Sequence, residues 1–323
     1  MTILIIRFSA LGDVAMTVPV IHSVATQYPQ HRFIVLSRSG NAAYFEDLPS
    51  NVLFKGVNLN GYKGMRGLGR LYAELGRMDI DGVADLHDVL RTQYLRLRFC
   101  LSGRKVRHIQ KGRWEKRALV GGKHHQLKTS FQRYADVFAQ LGLPVAVDYS
   151  PKNQPQQGWI GIAPFAAHKG KVYPEEKMKE VVRILAGNPQ TKIFLFGGGP
   201  EETARLEEWA SLSPQVESVA GKLSRKEELG LMRQLKVMLS MDSANMHLAS
   251  LVGTPVVSIW GATHPYAGFM GWGQSEENAL QVDLSCRPCS IYGNKPCRLG
   301  DYRCMNGIRP QEVAEKVLKI ALG

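Results

Sequence analysis

Residues Met241 to His247 read MDSANMH and lie between two apolar runs, KVMLSM and LVGTPVVSIWG. A loop that only turned would favour Pro or Asn-Gly; this one offers Asp242, Ser243, Asn245 and His247 within six residues. If a helix opens here, Asp242 or Ser243 caps it, and the N–H groups of Ser243, Ala244 and Asn245 have no acceptor inside the helix. Such a terminus holds phosphate through those groups and the helix dipole. An ordinary capped helix with a satisfied histidine is the alternative. Four other polar motifs also follow apolar runs: FSALGD, ending at Asp13; PFAAHKGKVYP, containing Lys171; GGGPEE, ending at Glu201 and Glu202; and GATHP.

A second constellation is Cys286-x2-Cys289-x7-Cys297-x6-Cys304. Four thiolates suit a tetrahedral structural zinc, with reduced thiols in a compact loop as the alternative. Cys100 stands apart and reads as a core residue. The charge is uneven. Of a net +13, the stretch Arg91–Lys128 holds twelve Lys or Arg against one acid, Glu115. Such a run attracts phosphate groups or is a solvated basic face. Nucleic acid is not expected as a partner, because aromatics are sparse there (Tyr94, Phe99, Trp114) and no helix-turn-helix or zinc-finger spacing is present.

The elements that must position these groups alternate. TILIIRF is a continuous apolar run, the mark of a strand buried on both faces. The next helix is expected to begin near Thr17, with Pro19 in its first turn. Strands are expected at Arg32–Arg38, Gly82–His87 and Lys105–Gln110, then a helix through Phe131, Tyr134, Val137, Phe138 and Leu141. The polar segment Asp148–Gly158, with Pro151 and Pro155, reads as a linker. The alternation then resumes: strands at WIGIAPF, TKIFLF, KVMLSM and PVVSIWG, helices at 175–186, 200–210, 226–235 and after Asp242, and a last amphipathic helix carrying Val313, Val317 and Ile320. Strands alternating with helices imply parallel sheets in an α/β fold. The length, 323 residues, suits two domains, 1–150 and 151–323. No apolar run reaches the roughly 18–20 residues of a membrane helix, and the N-terminus does not read as a signal peptide, so a cytoplasmic location is expected.

Together, ILIIRFSALGDVAMTVPVI, HKGKVYP and MDSANMHLASLVGTPVVSIWGATHP resemble the bacterial lipopolysaccharide heptosyltransferases, glycosyltransferase family 9. The resemblance extends to ADLHDVLRTQYL and to the C-terminal cysteine stretch. It implies the GT-B architecture: two Rossmann-like domains, a cleft between them, and a nucleotide-sugar in the C-terminal one. It implies Asp13 as general base, Lys171 neutralising the donor phosphates, Asp242 holding the donor sugar, Ser243 and Ala244 binding the diphosphate, and His247 beside them. Glu201 or Glu202 is expected at the ribose and Leu223 near the adenine. Ala244 stands where relatives often carry glycine, which leaves its N–H in place; Tyr173 stands where tryptophan is usual. The implied reaction is inverting and metal-independent, from ADP-heptose to an acidic lipopolysaccharide inner-core acceptor. The basic segment, with Arg91 and Arg113, is expected to meet that acceptor and to hold the enzyme against the inner face of the inner membrane. Two alternatives remain open: another nucleotide-sugar donor, and a non-catalytic, metal-binding regulatory protein on the same scaffold, against which intact Asp13 and Lys171 argue.

Overall fold

The structure is a computed structural model and describes all residues, Met1–Gly323. The first half runs β1 (Thr2–Ile6), α1 (Leu11–Ala15), α2 (Val18–Gln27), β2 (Arg32–Arg38), β3 (Val52–Val57), α3 (Gly64–Leu75), β4 (Gly82–Asp85), α4 (Leu90–Leu101), β5 (Lys105–His108), α5 (Arg113–Val120) and α6 (Ser130–Leu141). The second half runs β6 (Trp159–Ala163), α7 (Glu175–Ala186), β7 (Lys192–Leu195), α8 (Pro200–Ala210), β8 (Val216–Ser218), α9 (Arg225–Gln234), β9 (Val237–Met241), α10 (Ala244–Leu251), β10 (Val256–Ile259), β11 (Ala279–Leu280), α11 (Arg303–Asn306) and α12 (Pro310–Leu322).

The chain forms two compact units. The first holds Met1–Lys111 and Ser130–Tyr149; the second holds Gly112–Thr129 and Ser150–Gly323. The first unit is built on a parallel sheet of order β3-β2-β1-β4-β5, the second on a parallel sheet of order β11-β10-β9-β6-β7-β8. Each sheet therefore grows in one direction from its first strand and then reverses. The reversal falls between β1 and β4 in the first unit and between β6 and β9 in the second. At such a point the two flanking connections leave toward opposite faces, and the carboxyl ends of the strands are left uncovered.

Local signals account for most boundaries. Thr17 precedes α2 and Pro19 sits in its first turn, where a missing N–H costs nothing. Ser224 and Glu227 close a reciprocal capping box on α9, Ser224 Oγ accepting from Glu227 N at 3.3 Å and Glu227 Oε2 from Ser224 N at 2.7 Å. Three strands have no long apolar run to announce them, β3, β8 and β11, all at sheet edges. β3 is the edge of the first sheet, half-exposed, and carries Lys55 and Gly56. A strand solvated in this way reads as a loop.

The segment 112–129 departs from the division at 150/151 expected from sequence, which placed it in the first domain. It packs with the second unit, where Leu119 and Leu127 are buried with Ala267 against Tyr266, Phe269 and Ile291. Leu127 N donates to Tyr266 O at 2.9 Å. Gly268, at φ +79°, makes the approach feasible, since a Cβ there would meet Lys128 O at 2.5 Å. Arg91 and Arg113 consequently belong to different units. Leu119→Ala should weaken this packing by about 2–5 kcal/mol. Limited trypsinolysis should then cut among the basic residues of 113–128 faster than in the parent; an unchanged rate would mean that Leu119 does not anchor the segment.

Candidate functional site

In the second unit the residues of interest stand on loops after four adjacent strands, β9, β6, β7 and β8. Lys171 follows β6 and Asp242 follows β9, so the two flank the point where strand order reverses. Their side chains form an ion pair, Nζ to Oδ2 at 2.8 Å, with only 16% and 3% of each side chain exposed. Charges this enclosed depend on each other for solvation. Lys171 N donates to His168 O at 2.9 Å, and Gly170 O accepts from Ala262 N at 2.9 Å. A Cβ at Gly170 would meet Gly293 O at 2.8 Å, and one at Gly293 would meet Lys171 Cγ at 2.6 Å. The turn bearing the lysine is thus pressed between the loop after β10 and the cysteine-rich loop. Tyr173, buried, ties the same turn to the C-terminal part of the chain by donating to Ile308 O at 2.9 Å.

Asp242 extends β9 by one bond, its N–H donating to Ile259 O at 3.2 Å. Ser243 then takes the N-cap position of α10 in an extended conformation, with no side-chain cap bond; its Oγ lies 3.2 Å from Ser240 Oγ. The first-turn N–H groups, beginning with Ala244, have no acceptor within the helix. A half-buried ammonium, a buried carboxylate and a helix N-terminus at one place form a site suited to a phosphorylated ligand with hydroxyl groups. His247 is buried in α10. Glu202 is engaged in its own glycine loop, its Oε2 accepting from Gly198 N at 2.8 Å, while Glu201 is exposed at the start of α8. Leu223 lies half-buried in the connection between β8 and α9.

In the first unit Asp13 stands in α1, directly after β1, beside the other reversal point. Its Oδ2 pairs with Arg7 Nη2 at 2.5 Å and accepts from Ala10 N at 3.3 Å. The carboxylate therefore supports its own turn and faces a fixed guanidinium, while 35% of its side chain stays open to solvent. Arg7 is buried and donates from Nη1 to Leu86 O at 2.6 Å. Burial lowers its pKa, but the neighbouring Tyr134 and Asp13 outweigh this and hold the guanidinium above its ordinary value. Tyr134 in turn donates to Asp13 O at 3.3 Å. Across the reversal, His87 follows β4, its Nε2 3.4 Å from Ser9 Oγ. The turn is set by buried Asp85, whose Oδ1 accepts from the N–H groups of His87 at 2.9 Å and Asp88 at 3.0 Å. Desolvation, then the charges of Arg7 and Lys111, lower the His87 pKa to about 4, so the imidazole is neutral at pH 7. Arg7 and His87 were not singled out from sequence. The signal for Arg7 was an arginine closing an otherwise apolar strand; His87 had only its place after a strand.

The four cysteines lie in the segment before α12, where zinc and reduced thiols are the two expected readings. All are free thiols, and no three His, Cys, Asp or Glu side chains gather into a group that could hold a metal ion. The loop is organised around buried Arg287, which donates to the carbonyls of Gly261, Val282, Trp260 and Thr263 at 2.5, 2.5, 3.2 and 2.9 Å. Burial, with Cys286 and Cys297 nearby, raises the Cys289 thiol pKa; burial also raises that of Cys304. Cys100, read as core, is exposed on α4 instead. Arg91 lies half-buried near the start of α4. Arg113 lines a cavity of about 420 Å³ with Lys116, Arg117, Tyr292 and Lys295, in which Lys116 Nζ sits 4.5 Å from the Phe269 ring centroid. An Asp-x-Asp pair, Asp79 and Asp81, lies at the amino edge of the first sheet, away from Asp13, where Asp81 accepts from Thr2 N at 2.7 Å.

Residues 120–302 match glycosyltransferase family 9 (heptosyltransferase). The chain is 21% identical over 328 residues to lipooligosaccharide heptosyltransferase 2 of Campylobacter jejuni subsp. jejuni serotype O:6 (strain 81116 / NCTC 11828), covering 96% of each. Its fold is similar to that of the E. coli ADP-heptose lps heptosyltransferase II, with a TM-score of 0.74 at 16% identity, over 100% of this chain and 99% of the other. It is also similar to E. coli heptosyltransferase WaaC solved with ADP-2-deoxy-2-fluoro heptose, with a TM-score of 0.68 at 19% identity, over 91% and 97% of the two chains. Two parallel sheets of this kind define the GT-B fold. The chain belongs to glycosyltransferase family 9 and is a glycosyltransferase.

Two outcomes follow from the Arg7–Asp13–His87 network. Arg7→Gln removes the charge that faces the Asp13 carboxylate. kcat should then fall by roughly 10–100-fold; turnover equal to the parent's would separate Arg7 from the work of Asp13. His87 is held neutral in the fold but takes up a proton in the unfolded chain below about pH 6.5. The unfolded state thus binds more protons between there and about pH 4, so stability rises with pH across that window and falls on acidification. The urea midpoint should drop from pH 7 to pH 5, and His87→Gln should lessen the drop; identical profiles would rule His87 out as a source.

Proposed function

We propose that this enzyme transfers a heptose from ADP-heptose to an acidic inner-core saccharide of lipopolysaccharide, with inversion at the anomeric carbon. The observation that carries the reading is the Lys171–Asp242 pair beside the first turn of α10. Family membership and the ADP-heptose analogue held by WaaC support the choice of donor. In this reading Lys171 turns to the diphosphate, with the N–H groups of Ser243 and Ala244 on its oxygens, and Asp242 accepts from sugar hydroxyls. Glu201 meets the ribose, since Glu202 is engaged with Gly198 N, and Leu223 lies by the adenine. His247 supports the α10 turn from within.

The transfer is a single displacement. The acceptor hydroxyl attacks the anomeric carbon and gives its proton to Asp13, and the bond to the diphosphate breaks with its electron pair leaving on ADP. Arg7 holds Asp13 in place through their ion pair, while Lys171 and the helix terminus stabilise the growing negative charge on the leaving group. Arg91 and the cationic cavity at Arg113 are assigned to the acidic acceptor.

A panel of nucleotide-sugars with purified acidic core acceptor, read by mass spectrometry, tests the assignment. ADP-heptose should be consumed and the acceptor should gain one heptose. Asp13→Asn should leave donor binding nearly unchanged and lower turnover by roughly 10²–10⁴-fold. Lys171→Ala should raise the donor KM and lower kcat together. Transfer from a different nucleotide-sugar in preference to ADP-heptose would replace the donor; full turnover in Asp13→Asn would remove the base.

A further inference from the structure

Helix α4 carries an apolar stripe on the wrong side. Its inner face buries Thr92, Leu95 and Phe99. On its outer face, Leu90, Leu97 and Leu101 are 86%, 57% and 76% exposed. At 100° per residue these three leucines fall within about 40° of one another, opposite the buried face. Scattered exposed leucines need no explanation, but three aligned along one helix form a strip that water solvates poorly.

The surroundings of the stripe are basic. From Arg91 to Lys111 the chain has seven Lys or Arg and no Asp or Glu. Arg98 flanks the stripe, its guanidinium 4.7 Å from the Tyr72 ring centroid and donating to Tyr94 Oη at 3.2 Å. Arg104 is exposed just beyond the helix end, while Lys105 turns to the other face of the sheet and donates to Leu141 O at 2.8 Å. On the far flank Arg96 is neutralised by Asp85 and Asp88, at 3.5 and 3.2 Å, and Lys111 also reaches Asp88, at 4.0 Å. An apolar line bordered by cations on a helix lying along a surface is the composition that seats in the headgroup region of an anionic bilayer. A second copy of the chain fits poorly, since a two-fold contact would set the same cations against one another.

We infer that the outer face of α4 is the surface by which this enzyme rests on an anionic membrane, with Leu90, Leu97 and Leu101 entering the acyl boundary and Arg98 and Arg104 on lipid phosphates. The inference draws on the proposed lipid-linked acceptor in choosing a membrane as the occupant; the vesicles below contain no saccharide, so failure here and failure of sugar transfer are separate results.

The test is flotation of the full chain with vesicles of phosphatidylglycerol and phosphatidylethanolamine, against vesicles of phosphatidylcholine alone. The parent should float with the anionic vesicles and much less with the neutral ones. Leu97→Ser/Leu101→Ser, both at exposed positions and checked by circular dichroism, should lower partitioning about tenfold or more. Arg104→Glu should weaken binding to anionic vesicles and leave the weak binding to neutral ones unchanged. Equal flotation of the parent and the double leucine variant would overturn the inference, as would a parent with no preference for anionic lipid. It would also fall if sedimentation equilibrium showed that the leucine substitutions split a dimer of the parent into monomers, since the stripe would then be a subunit contact.

Discussion

Two opposite charges, Lys171 and Asp242, meet almost out of water where strand order reverses between β6 and β9. Much of the second unit serves that meeting. The carboxylate can be enclosed because the ammonium is there, and the ammonium is held there because its turn is pinned on three sides. Gly170 lets the loop after β10 come close, Gly293 lets the cysteine-rich loop lie along the lysine stem, and Tyr173 anchors the following residues to Ile308. The backbone N–H groups that open α10 complete a positive environment whose only fixed negative charge is Asp242. An anionic ligand entering here meets a cation and donors already in position, and the reorganisation is confined to one ion pair.

The first unit repeats the topology with different chemistry. Its reversal between β1 and β4 also gathers an acid, Asp13, and a base, Arg7, but here the cation is the buried partner and the carboxylate the exposed one. Burying the guanidinium fixes it, through its bond to Leu86 O and its place beside the Tyr134 ring, and leaves the carboxylate open to solvent. A neutral histidine completes the rim. One fold element, used twice, thus yields a site built around a positive charge and another built around a negative one.

Much of this was legible in the residues. Strands buried on both faces announced themselves as apolar runs, and the polar motifs that end them mark the carboxyl edges of both sheets; Lys171, Asp242 and Asp13 follow directly. What was not legible had physical reasons. β3 is a solvated edge with Lys55 and Gly56, so it lacks an apolar signature. Segment 112–129 is basic throughout, and nothing in its composition tells that Leu119 and Leu127 bury against residues near 267. Arg7 was hidden inside the strand motif whose end it marks. The cysteine spacing suggested a metal, but spacing says nothing about Arg287, whose guanidinium takes up four carbonyls of the neighbouring loops.

Gly293 deserves a last consideration through what it lacks. Its backbone occupies the volume where any side chain would collide with the stem of Lys171. The direction in which the lysine points is therefore set by a loop far downstream, one that contributes no group of its own to the ion pair. At φ +72° the position also favours glycine on backbone grounds, so a single methyl group there would be opposed twice, once by the turn and once by the lysine stem.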